Sequence, residues 1–166
     1  MLALTLLAAS NLTLGTLTQS PDCSSQPVRA HVDGDVAQLV VEIPREWVGR
    51  CEVTLPLEVP AHRSFAVRRV STRAMANLGA GDYRAILYRA SFDHAPQVGL
   101  ATVEVQGPND GLFDASTDIP DAALAWSPCG GTHTLNLTVN GSGLMPVPST
   151  MHVMNNFALV WKDCGE

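Results

Sequence analysis

The sequence predicts an all-β protein, a single-domain antiparallel β-sandwich of jelly-roll type framed by disulfides. Three observations predict this class. Segments with alternating or β-branched residues recur about every ten to fifteen residues, turns rich in Gly and Pro separate them, and four cysteines form an even set. Helical periodicity is weak, because Gly or Pro interrupts most apolar runs. The length of 166 residues favours one domain, which we expect over residues 11–166.

The expected strands follow one another with turn chemistry between them. The segment 51–59 shows the clearest alternation, with every second residue apolar and on one face. Asp33-Gly34 predicts a tight hairpin turn, and "NLGAGD" predicts a Gly-rich hairpin loop between two strands. Pro44 could begin a short helix that includes Trp47. The expected strands are 12–20, 28–32, 35–43, 51–59, 64–74, 83–92, 98–106, "THTLNLTVNGSG", and the C-terminal segment as one long strand or a strand pair.

Residues 109–121 are expected to form an exposed acidic loop. Four Asp fall among these thirteen residues, with Gly and Pro between them. Their oxygens, with that of Asn109, are suitable calcium ligands, but the segment does not match the EF-hand pattern. A solvated loop without an ion is the simpler interpretation, and calcium stays as the alternative.

The N-terminal segment 1–10, "MLALTLLAAS", resembles the apolar region of a secretory signal peptide and ends in small residues. The basic residues that normally precede such a region are missing. We therefore interpret 1–10 as a truncated signal peptide, with an ordinary first strand as the alternative. The run is too short to cross a membrane, and no other segment approaches that length, so we expect no membrane span.

The net charge of −6 argues against nucleic acid or an anionic membrane as a partner, since both require a basic surface. The charge is uneven along the chain. Nine Arg offset eight acidic residues in 1–90, whereas one Lys, Lys162, faces eight acidic residues in 91–166. This distribution allows either an acidic face or simple solubility.

The four cysteines favour the disulfides Cys23–Cys51 and Cys129–Cys164, which pair the neighbours in sequence. Cys129 lies in "WSPCGGTH", four residues before His133. A zinc site would need a second closely spaced pair of ligands, and a catalytic thiol would need an orienting group besides the histidine. We interpret Cys129 as half of a disulfide covered by Trp126 and Trp161, with a metal ligand or a free thiol as alternatives.

No motif carries a recognisable catalytic constellation, so we expect no catalytic residues, no cofactor and no metal. The five histidines are scattered, and "NGSGL" is a turn rather than a nucleophile elbow. Acidic pairs of a glycoside hydrolase assemble in space, so the sequence does not reveal them. Asn136 and Asn140 begin N-x-[ST] sequons and are candidate glycosylation sites. Trp47 is the tryptophan that we expect to be accessible.

Several segments resemble a family of small secreted fungal and bacterial proteins, catalogued as domain of unknown function 4360. The similarity covers about residues 11–164 and is most specific in "LAWSPCGGTHTLNLTV", in "FALVWKDC" and in "RCEVTLPLEVP". The resemblance implies secretion, a β-rich domain and four positionally matched cysteines. It implies no established activity and no catalytic residues.

The sequence therefore favours a secreted, non-enzymatic module that binds an extracellular or cell-wall ligand. A hydrolase acting on an extracellular polysaccharide is one alternative, and a structural surface or coat protein is another. The identity of the ligand and the oligomeric state lie beyond the sequence.

Overall fold

The computed structural model describes residues 12–23, 26–33, 38–44, 49–141, 144 and 152–165. The segment 1–10 and Trp47 lie outside these residues, as do the turn residue Gly34 and most of the expected short helix. The strands are β1 (Thr13–Leu14), β2 (Thr18–Gln19), β3 (Arg29–Asp33), β4 (Gln38–Pro44), β5 (Gly49–Val59), β6 (Arg63–Leu78), β7 (Tyr83–Phe92), β8 (Val98–Gln106), β9 (Asn109–Asp118), β10 (Gly131–Gly141) and β11 (His152–Asp163).

Two antiparallel sheets form the molecule, which confirms the all-β sandwich. Sheet A has six strands in the order β1-β5-β10-β7-β8, and β2 also pairs with β5. Sheet B has five strands in the order β3-β4-β11-β6-β9. The one described helix is a 3-10 turn at Asp121–Ala123, and no helix among the described residues could cross a membrane.

Alternation places one side of each strand in a common core. In sheet A, β5 and β10 contribute Leu55, Leu57, Leu135 and Leu137, all almost completely buried. Sheet B contributes residues such as Phe65, Val70 and Phe157 from the facing side. Because successive residues of a strand point to opposite faces, the remaining residues of the same strands form the two outer faces.

A buried polar cluster joins the two sheets inside this core. The Tyr88 hydroxyl, from sheet A, donates to Asn155 Oδ1 of sheet B at 2.7 Å, and it also bonds with the Thr72 hydroxyl. The Asn155 amide donates to the Val41 carbonyl at 3.4 Å. Burial raises the pKa of the Tyr88 phenol well above its ordinary value, so this group stays a neutral donor. Paired polar groups avoid the cost of burial, and they specify which strands face each other.

The expected hairpin at "NLGAGD" is wrong, because β6 lies in sheet B and β7 in sheet A. The segment between them crosses from one sheet to the other. Asp82 holds this corner: its carboxylate accepts from Gly79 N at 2.9 Å, and its carbonyl accepts from Gly107 N at 2.9 Å. A side chain at Gly107 would collide with the Gly79 carbonyl oxygen, which explains the glycine. Alternating strands look the same in sequence whether a hairpin or a crossing joins them.

The expected acidic loop is also wrong, because residues 109–118 form β9, an edge strand of sheet B. Its Asp side chains are exposed, as expected, but β6 supplies basic partners beside them. Arg69 donates to both carboxylate oxygens of Asp118, at 2.7 and 3.0 Å. Arg73 lies opposite Asp114 in the strand register. The acidic second half of the sequence is thus neutralised in part by arginines of the first half.

Candidate functional site: the outer face of sheet A

The outer face of sheet A presents rows of polar side chains, one row uncharged and the next containing charged groups as well. One row runs across the strands through Thr54, Asn136 and Ser91, which lie opposite one another in register. The next row contains Thr138, with Glu52 on one side and Arg89 on the other. Hydroxyl and amide groups can both donate and accept hydrogen bonds, so this surface suits a ligand with many hydroxyl groups.

Two adjoining depressions lie along these rows. One has a volume of about 310 Å³ and the other about 270 Å³. They share Arg50, Arg89 and Thr138, so we treat them as one feature and call it the polar groove. The polar groove is lined by side chains of four neighbouring strands, β5, β10, β7 and β8.

The charged groups of the polar groove differ in their contacts. Arg50 forms an ion pair with Glu52 two residues along the same strand. Arg89 is exposed and makes no side-chain hydrogen bond or ion pair within the described part of the chain. A guanidinium without a partner retains five N–H donors for a ligand.

Apolar side chains border the polar groove on the β7–β8 side. Leu87 is 52% exposed and Leu100 is 64% exposed. Tyr83 is also 64% exposed and lies at the start of β7, opposite Gln106. A further open depression of about 470 Å³ includes Tyr83, Glu104 and Gln106. The same outer face therefore carries an exposed aromatic ring beyond one end of the polar groove.

Both candidate glycosylation residues lie on this face. Asn136 is exposed on β10, and its side-chain oxygen accepts from the Thr54 hydroxyl at 3.1 Å. Asn140 is exposed near the end of the same strand and lines the larger of the two shared depressions. The sequence predicted a strand at "THTLNLTVNGSG", and in the structure Asn136 and Asn140 lie on its exposed face. That face acquires its neighbours only because β5 and β7 flank β10.

Two carboxylates of this face, Glu52 and Glu104, lie on widely separated strands. Glu52 is on β5 and Glu104 on β8, so their strands are separated by three inter-strand spacings, or about 14 Å. Glycosidases place their two carboxyl groups about 5–10 Å apart. This face therefore does not present Glu52 and Glu104 as a hydrolytic pair.

The two disulfides are Cys23–Cys51 and Cys129–Cys164, with Cα–Cα distances of 4.2 and 6.1 Å. No free cysteine occurs among the described residues, so the thiol and metal interpretations of Cys129 have no support. His133 Nε2 lies 2.6 Å from the Gly130 carbonyl rather than activating a thiol. Gly130 and Gly131 have φ values of 55° and 85°, which favour glycine where the chain turns into β10.

The expectation that two tryptophans cover the second disulfide is wrong. Cys129 is exposed and Cys164 is half-buried. Trp161 packs against Phe65 in the core, with ring centroids 5.3 Å apart. Trp126 instead lies under the Lys162 ammonium, 4.2 Å from the ring centroid. Both rings have partners of their own, and Cys129 is an exposed residue.

Metal ligands do not cluster in the described part of the chain, where no group of three or more His, Cys, Asp or Glu could hold an ion. The histidines are spread over β3, two turns, β10 and β11. His62 and His94 occupy turns with positive φ, both at 61°. Asp110, Asp114 and Asp118 are spaced along the extended strand β9 rather than grouped around a common centre.

Several solved structures are similar to this chain at low sequence identity. The chain is 15% identical to a family 6 carbohydrate-binding module, with 93% of this chain and 95% of that chain covered and a TM-score of 0.32. It is 15% identical to a carbohydrate-binding module from Clostridium stercorarium in complex with cellobiose, covering 89% and 93% of the two chains at a TM-score of 0.29. It is 12% identical to an arabinose-bound α-L-arabinofuranosidase, covering 92% of this chain but 25% of that chain, at a TM-score of 0.35.

No curated protein sequence matches this chain. A family model does match, and it covers residues 36–164, which include both depressions of the polar groove and three of the four cysteines. The resemblance seen in the sequence is confirmed over most of its length. The chain belongs to the family described as Domain of unknown function (DUF4360).

Proposed function

We propose that this protein is a secreted, non-enzymatic binding module that holds a neutral polyhydroxylated chain, such as an extracellular or cell-wall glycan, in the polar groove. The observation that carries the proposal is the concentration of uncharged donors and acceptors on one sheet face. Asn136, Thr138 and Ser91 line the smaller depression together with Arg89, which has no side-chain partner among the described residues. These groups can donate hydrogen bonds to sugar hydroxyls, and the amide and hydroxyl groups can also accept from them.

The span of the groove suits an extended ligand. Three inter-strand spacings of about 4.8 Å give about 14 Å from β5 to β8, enough for a short oligosaccharide laid across the strands. The exposed ring of Tyr83 lies beyond one end of the groove, where it could stack on the apolar face of a sugar.

Secretion is proposed from the covalent framework. Two disulfides persist in oxidising compartments and are rare in the reducing cytosol. The ligand would therefore be met outside the cell.

In a host that glycosylates proteins, Asn136 could either bind the ligand or carry a glycan, but not both. Its side chain lines the groove, so a glycan attached there would occupy the ligand's place. We expect protein from a glycosylating host to bind less ligand than bacterially produced protein. Mass spectrometry of the Asn136 and Asn140 peptides shows which residue is modified. Equal binding by modified and unmodified protein would place the ligand elsewhere.

The direct test is titration calorimetry of the purified, oxidised protein against a panel of neutral polysaccharides and their oligosaccharides. We expect Asn136→Ala to weaken binding about tenfold, the loss of about 1.4 kcal/mol for one well-used hydrogen-bonding group. Asn77→Ala is the matched control, because Asn77 is also an exposed strand asparagine but lies on the outer face of sheet B. It should leave the dissociation constant unchanged.

Three outcomes would contradict the proposal. Equal losses in the two asparagine variants would show that the ligand does not use the polar groove. Release of new reducing ends from any polysaccharide would show that the protein is a hydrolase rather than a binding module. Failure to bind any member of the panel would exclude neutral glycans as the ligand class.

A further inference from the structure

The edge strands of the two sheets are protected very differently. Sheet A ends on one side in the two-residue strands β1 and β2, which are too short to recruit another chain. In sheet B, β3 carries Arg29 and Asp33, and β9 carries exposed Asp side chains at every fourth position. Short length and charge are the usual devices that stop an exposed edge from pairing with another strand.

Strand β8, the remaining edge, has neither device. It is nine residues long, contains no Pro or Lys, and carries Glu104 as its single charge. On its outer side Leu100 is 64% exposed, and the neighbouring Leu87 of β7 is 52% exposed. A long, regular edge bordered by exposed leucines is typical of a surface that another strand covers.

We propose that β8 is a self-association edge, where a second copy of this chain pairs antiparallel with β8 and joins the two copies of sheet A. The midpoint of Val98–Gln106 is Thr102, so a two-fold axis at Thr102 pairs the full length of both strands. In this register Thr102 faces Thr102 of the second copy, and Leu100 faces Glu104. No two like charges lie opposite each other, which would otherwise destabilise the pairing.

Charge complementarity supports this register. Within one copy, Arg89 lies beside Leu100, and neither Arg89 nor Glu104 makes an ion pair in the described part of the chain. The second copy would place its Glu104 on the far side of Leu100, two inter-strand spacings or about 10 Å from Arg89 between Cα atoms. Both side chains are long enough to meet across Leu100. The two-fold axis forms this pair twice, and each pair covers the Leu100 side chain that lies between Arg89 and Glu104.

The joined sheet would present both polar grooves on the same side, because a two-fold axis normal to a sheet keeps its outer face outward. The association itself does not depend on ligand binding. A guanidinium has five donors, so Arg89 could pair with Glu104 and still contact a ligand.

Sedimentation equilibrium of the oxidised protein tests the proposal without any ligand. We expect a monomer–dimer equilibrium that Thr102→Lys weakens at least tenfold, because two lysines would then face each other at the two-fold axis. The matched control is Ser116→Lys, an exposed position on the outer side of the other long edge strand, β9. It should leave the equilibrium unchanged.

A charge exchange tests the register. Glu104→Arg and Arg89→Glu should each weaken the dimer, and the double variant should restore it. A protein that stays monomeric up to about 1 mM would overturn the proposal. So would a dimer that Ser116→Lys disrupts and Thr102→Lys does not, or a double variant as weak as the single ones.

Discussion

The two sheets present opposite kinds of outer face to solvent. On sheet B several charged groups are paired within the chain: Arg69 with Asp118, Arg68 with Asp121 at 2.8 Å, and Lys162 over the Trp126 ring. On sheet A, Arg89 is unpartnered among the described residues, and most of its neighbours are neutral amides and hydroxyls. Groups that pair with one another within the chain have fewer donors and acceptors left for a ligand. The face of sheet A retains its donors, which is why we place binding there.

The two disulfides also differ in their exposure to solvent. Cys23 and Cys51, the latter on β5 of sheet A, are completely buried. Cys129 is exposed, and its bridge reaches Cys164 at the end of β11 in sheet B. Cys164 N donates to the His62 carbonyl and Gly130 N to the Arg63 carbonyl, so this bridge fastens the two chain segments that flank the start of β6. One bridge is part of the core, and the other is a surface clamp.

The largest expected effect is the loss of the buried bridge. The two closed loops have similar lengths, with separations of 28 and 35 residues, so the entropic contributions are about 4 kcal/mol each. Replacing Cys23 and Cys51 by Ala also leaves a core defect, so we expect a loss of about 5 kcal/mol in the free energy of unfolding. Replacing Cys129 and Cys164 should cost about 3 kcal/mol, because an accessible site can relax.

Urea unfolding of the two double variants measures this difference. Equal losses, or a greater loss from the surface bridge, would contradict the distinction between a core bridge and a clamp.

The next effect concerns the polar cluster that links the two sheets. Asn155→Ala removes the acceptor of the Tyr88 hydroxyl and leaves a buried hole, so we expect a loss of about 3 kcal/mol. Tyr88→Phe preserves the ring and removes one hydroxyl, while Thr72 still bonds with Asn155 at 3.3 Å, so it should cost about 1 kcal/mol. Thermal and urea unfolding rank the two variants. The reverse ranking would mean that the Tyr88 hydroxyl, rather than Asn155, is central to the cluster.

Accessibility should also separate the bridges kinetically. We expect Cys129 and Cys164 to become alkylated several-fold faster than Cys23 and Cys51 in mild reductant, at a pH where the protein stays folded. The reason is that a reducing thiolate must reach the sulfur that it attacks. Timed alkylation followed by peptide mapping gives the four rates, and mapping without reductant checks the pairing itself. Simultaneous labelling of all four residues would indicate reduction by global unfolding instead.

The smallest effect on stability is expected from the exposed ion pairs of sheet B. The hydrogen bond from Arg69, and then the charges of Arg69 and Arg68, hold the pKa of Asp118 below its ordinary value. Such a carboxylate stabilises the fold above its unfolded pKa, and this contribution disappears as the pH falls through the lowered folded pKa. Because both side chains are exposed, the contribution should be small.

We therefore expect Arg69→Gln to raise the pKa of Asp118 toward its ordinary value and to change the melting temperature at pH 7 very little. An NMR titration of the Asp118 carboxyl measures the pKa. Arg73→Gln is the control and should leave it unchanged, because Arg73 lies opposite Asp114 rather than Asp118. A large fall in melting temperature would mean that the ion pairs of sheet B support the fold.

The sequence by itself determined most of the strands, though not β9, and the buried face of one of them. Alternation in 51–59 predicted that Val53, Leu55, Leu57 and Val59 share one face, because side chains on a strand point to opposite sides, and all four are buried in β5. The even cysteine count predicted disulfides, and the segments that resemble the family predicted a β-rich domain. None of these signals depends on knowing a strand's neighbours.

Only the tertiary structure decided which strands became neighbours. It placed β10 between β5 and β7, so Asn136 lies between Thr54 and Ser91, residues far apart in the chain. It also set β9 beside β6, which turned an expected acidic loop into a strand paired with arginines. Strand order depends on long-range pairing and on packing between sheets, and an alternating segment accepts many partners equally well. For that reason the polar groove, the crossing at Asp82 and the unprotected edge of β8 became visible only in three dimensions.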